Sequence, residues 1–164
     1  MSNDIVIRAE RADHPQVVAA LGALDTYLAT LYASEANHIL SIAELLVPEV
    51  NFFAAWQGER LVGTAAVRRM PGEAGTAGEP YGEIKRMYVA PELRGQRIGG
   101  HLLSTLEGAL HGQGVALALL ETGGDQHEAV RLYERAGYAR RAPFGGYPDN
   151  GLSLFFGKRL LDRP

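Results

Sequence analysis

The stretch from Val89 to Gly100 (Val-Ala-Pro-Glu-Leu-Arg-Gly-Gln-Arg-Ile-Gly-Gly) restricts this chain more than any other. An apolar strand pattern ends at Val89, a basic loop with glycines follows, and a helical pattern opens at Ile98. A helix leaves its first four N–H groups without internal partners, and its dipole favours negative charge at that end. Glycine lets a ligand approach the backbone closely. Arg94 and Arg97 add guanidinium forks that match phosphate oxygens. The stretch therefore reads as a cradle for a phosphate or pyrophosphate, and its flanks must say which molecule carries it.

Before the cradle, Ile5-Val6-Ile7 reads as a first strand. Asp13 is placed to cap a helix with Pro15 in its first turn, and Val17, Val18, Leu21, Leu24, Leu28 and Leu31 recur at helical spacing through about Tyr32. A shorter helix follows Ser41 and stops before Pro48. Asn51 to Gln57 and Leu61 to Val67 read as strands joined by a Gly58-Glu59 turn, and Pro71 to Pro80 as a mobile loop. Tyr81 to Val89 is the strand that enters the cradle. After it, Ile98, Leu102, Leu103, Leu106 and Leu110 share one helix face, which ends near Gly112 and Gly114. Val115 to Leu120 is continuously apolar, as a strand buried on both faces requires. Asp125 is placed to cap the next helix, with Glu128 completing a capping box and Gly137 ending it. A short strand starts at Tyr138, a turn-rich loop covers Phe144 to Gly151, and Leu152 to Phe156 is the last strand. The fold class is α/β (α+β): one domain over residues 1–164, with a mixed sheet of about seven strands and about four helices.

Composition removes several function classes. The net charge of −3 argues against a general nucleic-acid binder. The basic excess is local, Lys85, Arg86, Arg94 and Arg97 against Glu83 and Glu92. There is no cysteine, which excludes disulfides, thiolate metal sites and a cysteine nucleophile. The histidines show no paired metal-ligand spacing, so no metal is expected. No basic leader with an apolar run opens the chain, and no apolar stretch approaches the ~20 residues of a membrane span, so a soluble cytoplasmic protein is the expectation. Neither a Gly-x-Ser-x-Gly elbow nor a Gly-Lys-Ser/Thr loop occurs.

Arg94-Gly95-Gln96-Arg97-Ile98-Gly99-Gly100, set between strand and helix, resembles the acetyl-CoA signature of the GNAT superfamily of N-acetyltransferases. Downstream, Leu132-Tyr133-Glu134-Arg135-Ala136-Gly137-Tyr138 is similar to the second motif of that family. The resemblance covers most of the chain and is strongest from Tyr81 to Tyr138. It departs at two positions. Arg97 stands where the family usually has its first glycine, and Gln126 where many members have an asparagine that touches the pantetheine arm.

The resemblance implies a cosubstrate, acetyl-CoA, and a set of roles. Transfer to an amine needs the amine neutral, and Glu83 matches the position of the carboxylate that takes its proton. The backbone of Met87, Tyr88 and Val89 would hold the pantetheine arm, with the Met87 N–H on the oxyanion. Arg94, Gly95, Gln96, Arg97, Ile98, Gly99 and Gly100 would hold the pyrophosphate, and Gln126 the arm. Tyr133 matches the tyrosine that protonates the departing thiolate, being neutral at ordinary pH. Each has a plainer reading: Glu83 as a solvent-facing strand carboxylate paired with Lys85 on the same face, Tyr133 as packing. The acceptor pocket would draw on Tyr27, Tyr32, Glu35 and His38 early and on Tyr147 and Asp149 late. The expected partner is a small-molecule amine, amino acid or peptide terminus, without nucleic acid or membrane, in a possible homodimer. Two other readings stay open: a CoA-binding sensor without turnover, and a nicotinamide-dependent oxidoreductase with Glu121 on the ribose.

Overall fold

The computed structural model describes residues 4–31 and 40–160. The elements run β1 (Ile5–Ala9), α1 (Pro15–Leu31), α2 (Ile42–Leu45), β2 (Val50–Gln57), β3 (Arg60–Met70), β4 (Tyr81–Val89), α3 (Ile98–Gly112), β5 (Leu117–Gly123), α4 (His127–Arg135), β6 (Ala139–Arg140) and β7 (Ser153–Arg159). The strands form one seven-stranded sheet in the order β1-β2-β3-β4-β5-β7-β6. Every neighbouring pair is antiparallel except β4 and β5, which are parallel because α3 crosses between them. The expected mixed sheet and helix order are therefore present.

Each face of the sheet buries a different helix. Leu102, Leu103, Leu106 and Leu110 of α3, none more than 1% exposed, pack against Val62, Ile84, Ala118, Leu120 and Phe156. Burying a leucine fully contributes roughly 1.5–3 kcal/mol, so this seam fixes α3 to the sheet. On the other face, Val17 and Leu21 of α1 pack with Phe52, Ala54, Trp56 and Ala66. A third cluster joins Tyr81, Leu119, Phe144 and Phe155 under the late loop. Close approach requires glycine at Gly82, where a Cβ would meet Leu110 Cδ2 at 2.4 Å.

Three local expectations need correction. Asp13 does not cap α1; it is drawn into a fork with Arg11, at 3.0 and 2.9 Å, and the His14 ring nitrogen accepts from the Gln16 N–H at 3.1 Å instead. Asp125 does not cap α4 either. That helix starts at His127 with Gln126 as its N-cap, no side-chain cap bond forms, and Glu128 turns to Arg94 at 3.1 Å. A complete capping box exists at α2 between Ser41 and Glu44, which suits a helix of four residues. The 71–80 loop is tied down rather than loose: Ala74–Thr76 forms a 3₁₀ turn, and the buried Thr76 hydroxyl bonds Glu79 O at 2.8 Å.

Candidate functional site

The site begins with a fault in the sheet. Thr64 of β3 pairs with Tyr88 and Ala66 with Lys85, so β4 spends one extra residue there. Arg86 takes up the irregularity at φ 58°, in the left-handed region. Two contacts hold it. The buried Thr64 hydroxyl donates to Arg86 O at 2.8 Å. The Arg86 guanidinium pairs with Asp25 of α1 and donates to Leu40 O at 3.2 Å. The bulge also resets the alternation of the strand. Ile84, Met87 and Val89 pack with the α3 cluster, while Arg86 reaches toward α1.

Beyond the bulge β4 leaves its parallel neighbour. β4 and β5 pair only at Gly82–Ala118 and Glu83–Leu119. From Lys85 to Val89 no described strand lies on that side, so the backbone groups that point away from β3 are open to an extended ligand. This is where Met87, Tyr88 and Val89 were expected to offer their backbone.

Glu83 stands at the fork. It is 5% exposed, so the reading of a solvent-facing strand carboxylate fails on burial. It does pair with Lys85, whose Nζ lies 3.1 Å from Oε2. The Tyr147 hydroxyl donates to the same carboxylate, and Lys85 Nζ donates to that hydroxyl while sitting 5.0 Å from the ring centroid. Burial, then the Glu83 charge, pushes the Tyr147 phenol well above its ordinary value. Tyr147 is thus a partner of the candidate base.

The strand then delivers the chain to the cradle. Arg94, Gly95, Gln96 and Arg97 are exposed. Gly95 has φ 87° and Arg97 φ 66°, so the arginine does adopt the backbone that glycine would take more cheaply. Arg97 is the N-cap of α3 and makes no side-chain cap bond, which leaves the first-turn N–H groups of Ile98, Gly99 and Gly100 for an outside acceptor. Gly99 lets α4 come close: a Cβ there would meet Leu132 Cδ2 at 2.9 Å. Ile98 is buried beneath the loop.

On α4, Tyr133 is 6% exposed and packs edge-on against Tyr138 at 6.2 Å. Among the described residues its hydroxyl has no hydrogen-bond partner. Burial, then the Glu121 charge, raises its pKa, so the proton stays on oxygen at neutral pH. Glu121 itself accepts from Ser153 at 2.5 Å. Gln126 is half-buried at the N-cap of α4.

Two residues that sequence reasoning passed over hold the site in shape. Thr64 reads as one polar residue in an apolar run, and only the bulge reveals its purpose. Glu73 accepts from the Tyr81 hydroxyl at 2.5 Å and from the Gly145 N–H at 3.0 Å, clamping the loop that carries Tyr147. Of the acceptor candidates, Tyr27 is 47% exposed on α1 and Asp149 lies exposed in the late loop. Tyr32, Glu35 and His38 lie outside the described residues. A depression of about 400 Å³ between β1 and α3 includes Gln96 and Ile98 but neither Glu83 nor Tyr133. No described helix is long and apolar enough to cross a membrane.

Comparison with known proteins gives consistent results. Residues 19–138 match the model of the acetyltransferase (GNAT) family. An "IAA acetyltransferase" of Azospirillum brasilense is 38% identical over 157 residues, covering 96% of this chain and 99% of that protein. A Klebsiella pneumoniae structure described as a putative acyl-CoA N-acyltransferase superposes with TM-score 0.76 at 32% identity, over 96% of this chain and 98% of that one. A GNAT family acetyltransferase from Elizabethkingia anophelis, solved with acetyl-CoA bound, shares the fold at TM-score 0.64 and 18% identity, over 96% and 99% of the two chains.

Proposed function

The chain belongs to the GNAT family of acetyltransferases, and from that premise we propose that it moves an acetyl group from acetyl-CoA to a primary amine by direct attack in a ternary complex. The observation that carries this reading is the fork at Glu83. There a buried carboxylate on β4 stands at the last residue paired with β5, just before the segment that has no described strand on that side and leads into an uncapped helix N-terminus.

The residues present fit acetyl-CoA. Exposed Arg94 and Arg97 and the free first-turn N–H groups of α3 suit the pyrophosphate, and the side of the Met87-to-Val89 backbone turned away from β3 suits the amide-bearing arm, with Gln126 at its flank. When bound, acetyl-CoA supplies the activated acyl carbon. Glu83 takes the proton of the incoming ammonium, so that a neutral nitrogen attacks. The Met87 N–H points a dipole at the developing oxyanion. Tyr133, held neutral, gives its proton to the leaving sulfur. The acceptor enters on the face of Lys85 and Tyr147 and takes a place beside Glu83 that Lys85 now holds.

The acceptor is a small-molecule amine, an amino acid or a peptide terminus, since a buried carboxylate attracts a compact cation. The test is free-thiol release from acetyl-CoA across a panel of amines, with IAA included because of the Azospirillum relative. Thiol release with at least one amine supports the reading. Binding of acetyl-CoA without turnover of any acceptor favours a sensor. A thermal shift with NADH alone would favour the oxidoreductase, although Glu121, which that reading needs, is held by Ser153.

A further inference from the structure

We propose that Lys85 is itself an acetyl acceptor: the protein acetylates its own Lys85 Nζ when acetyl-CoA is present and no free amine competes. The inference rests on the transferase reading above. The geometry that points to it is the position of the amine. Lys85 Nζ lies 3.1 Å from the Glu83 oxygen that is to deprotonate the substrate, and it shares the Tyr147 hydroxyl with that carboxylate. Its side chain, 12% exposed, follows Glu83 on β4 at the start of the segment that has lost its neighbouring strand. A primary alkyl ammonium therefore already occupies the place the reaction requires of a substrate nitrogen.

The chemistry closes without a further reagent. The ammonium sheds two protons in becoming an amide nitrogen. One passes to Glu83, which frees the lone pair. The nitrogen–carbon bond forms, the carbon–sulfur bond breaks, and Tyr133 protonates the sulfur. The second proton from nitrogen refills Tyr133, and Glu83 returns its own to water. The amide so formed is neutral and bulkier than the ammonium. It leaves Glu83 without its cation and fills the acceptor position, so self-acetylation slows later turnover.

The sequence makes the test clean, because the chain contains two lysines, Lys85 and Lys158. Lys158 pairs with Glu107 at 3.0 Å and is the better exposed, at 29%. Acetylation by reagent in solution falls first on Lys158, whereas acetylation within the site falls on Lys85. The full chain is incubated with acetyl-CoA and no added amine, then mapped by mass spectrometry. The expected result is an acetyl increment on the Lys85 peptide at least roughly tenfold above that on the Lys158 peptide, as positioning beside a base dictates. Lys158→Arg keeps the increment. Glu83→Gln and Tyr133→Phe, each checked by thermal melting for an intact fold, lose most of it. Preincubated protein shows lower initial turnover, and an acceptor amine present from the start protects against both changes. Equal increments on the two lysines, or an increment confined to Lys158, overturn the proposal. So does an unmodified Lys85 in protein that releases thiol with panel amines. Protein that neither binds acetyl-CoA nor releases thiol with any amine overturns the transferase reading as well, which separates the two failures.

Discussion

Two arginines share an unusual backbone, Arg86 at φ 58° and Arg97 at φ 66°, and almost nothing else. A left-handed non-glycine residue costs roughly 1–2 kcal/mol. At Arg86 the cost has a local structural return. The side chain is 6% exposed, pairs with Asp25 and donates to Leu40 O at 3.2 Å, while its carbonyl takes the Thr64 hydroxyl at 2.8 Å. At Arg97 the described residues supply no such return. The side chain is exposed and does not cap the helix it begins. One arginine fixes the shape of the sheet, and the other holds a conformation that the fold does not use. Strain that is unsupported by its own side chain points to a ligand. On the proposed reading, the acceptor face is built from buried groups that hold one another, and the cofactor loop from exposed ones, of which Arg94 pairs with Glu128 and Arg97 makes no side-chain cap bond.

The sharpest way to break this contrast is to remove the chemistry from the buried face. Glu83→Gln keeps the size of the side chain and its acceptor oxygen for Tyr147, yet cannot take a proton. Turnover should fall about 10²- to 10⁴-fold at neutral pH and less at high pH, where the amine deprotonates itself. An unchanged rate at every pH would mean that Glu83 serves only to neutralise Lys85. Tyr133→Phe should follow, with turnover reduced about tenfold or more and acetyl-CoA affinity nearly intact. Burial holds the Tyr133 proton above the ordinary phenol value, so the acid form persists as pH rises and the wild-type rate shows no loss from this group below about pH 10. A loss confined to affinity would make Tyr133 a packing residue.

Arg86→Ala tests the structural half directly. It relieves the backbone only slightly, since alanine also dislikes positive φ, and it strips Asp25 of its partner. Removing one member of a fully buried pair costs about 3–5 kcal/mol; Asp25 is 43% exposed, so about 1–3 kcal/mol is expected in a urea melt. Thr64→Val should cost roughly 1 kcal/mol by leaving Arg86 O without its donor. Both changes should lower turnover beyond what their stability loss explains, because the bulge sets where Met87 points. A full rate in a melted-down Thr64→Val variant would uncouple the bulge from the chemistry.

The same contrast explains what was legible in the sequence. The strand, loop and helix proposed as the cradle were legible because glycines, arginines and the onset of a leucine face are local signals, and the helix does begin at Ile98. Glu83 and Tyr133 were placed on the right elements through their distance from the cradle and their likeness to family motifs. The bulge was not legible. Its causes are Asp25, 61 residues before Arg86 in the chain, and Thr64, 22 residues before it. No periodicity encodes contacts of that separation. The two misplaced caps teach the reverse lesson. Asp13 and Asp125 have the right residue type, but Arg11 takes the first, and α4 begins one residue after the N-cap at Gln126. A capping preference worth ~1 kcal/mol yields to such neighbours.

The smallest effect decides the most about the loop. Arg97→Gly removes the left-handed penalty of about 1–2 kcal/mol and adds back about 0.5–1 kcal/mol of unfolded-chain entropy, so a slight rise in melting temperature is expected. No contact within the described protein is lost to offset it. If the guanidinium serves phosphate, acetyl-CoA affinity should drop about fivefold, in line with about 1 kcal/mol for an exposed charged contact, and the drop should shrink in high salt. Stability and affinity would then move in opposite directions at one residue, which the same experiment at Arg86 cannot produce. Should affinity stay constant while the melting temperature rises, Arg97 would be a costly substitute for glycine with no phosphate to hold. The first-turn N–H groups of α3 and Arg94 would then carry the anion alone.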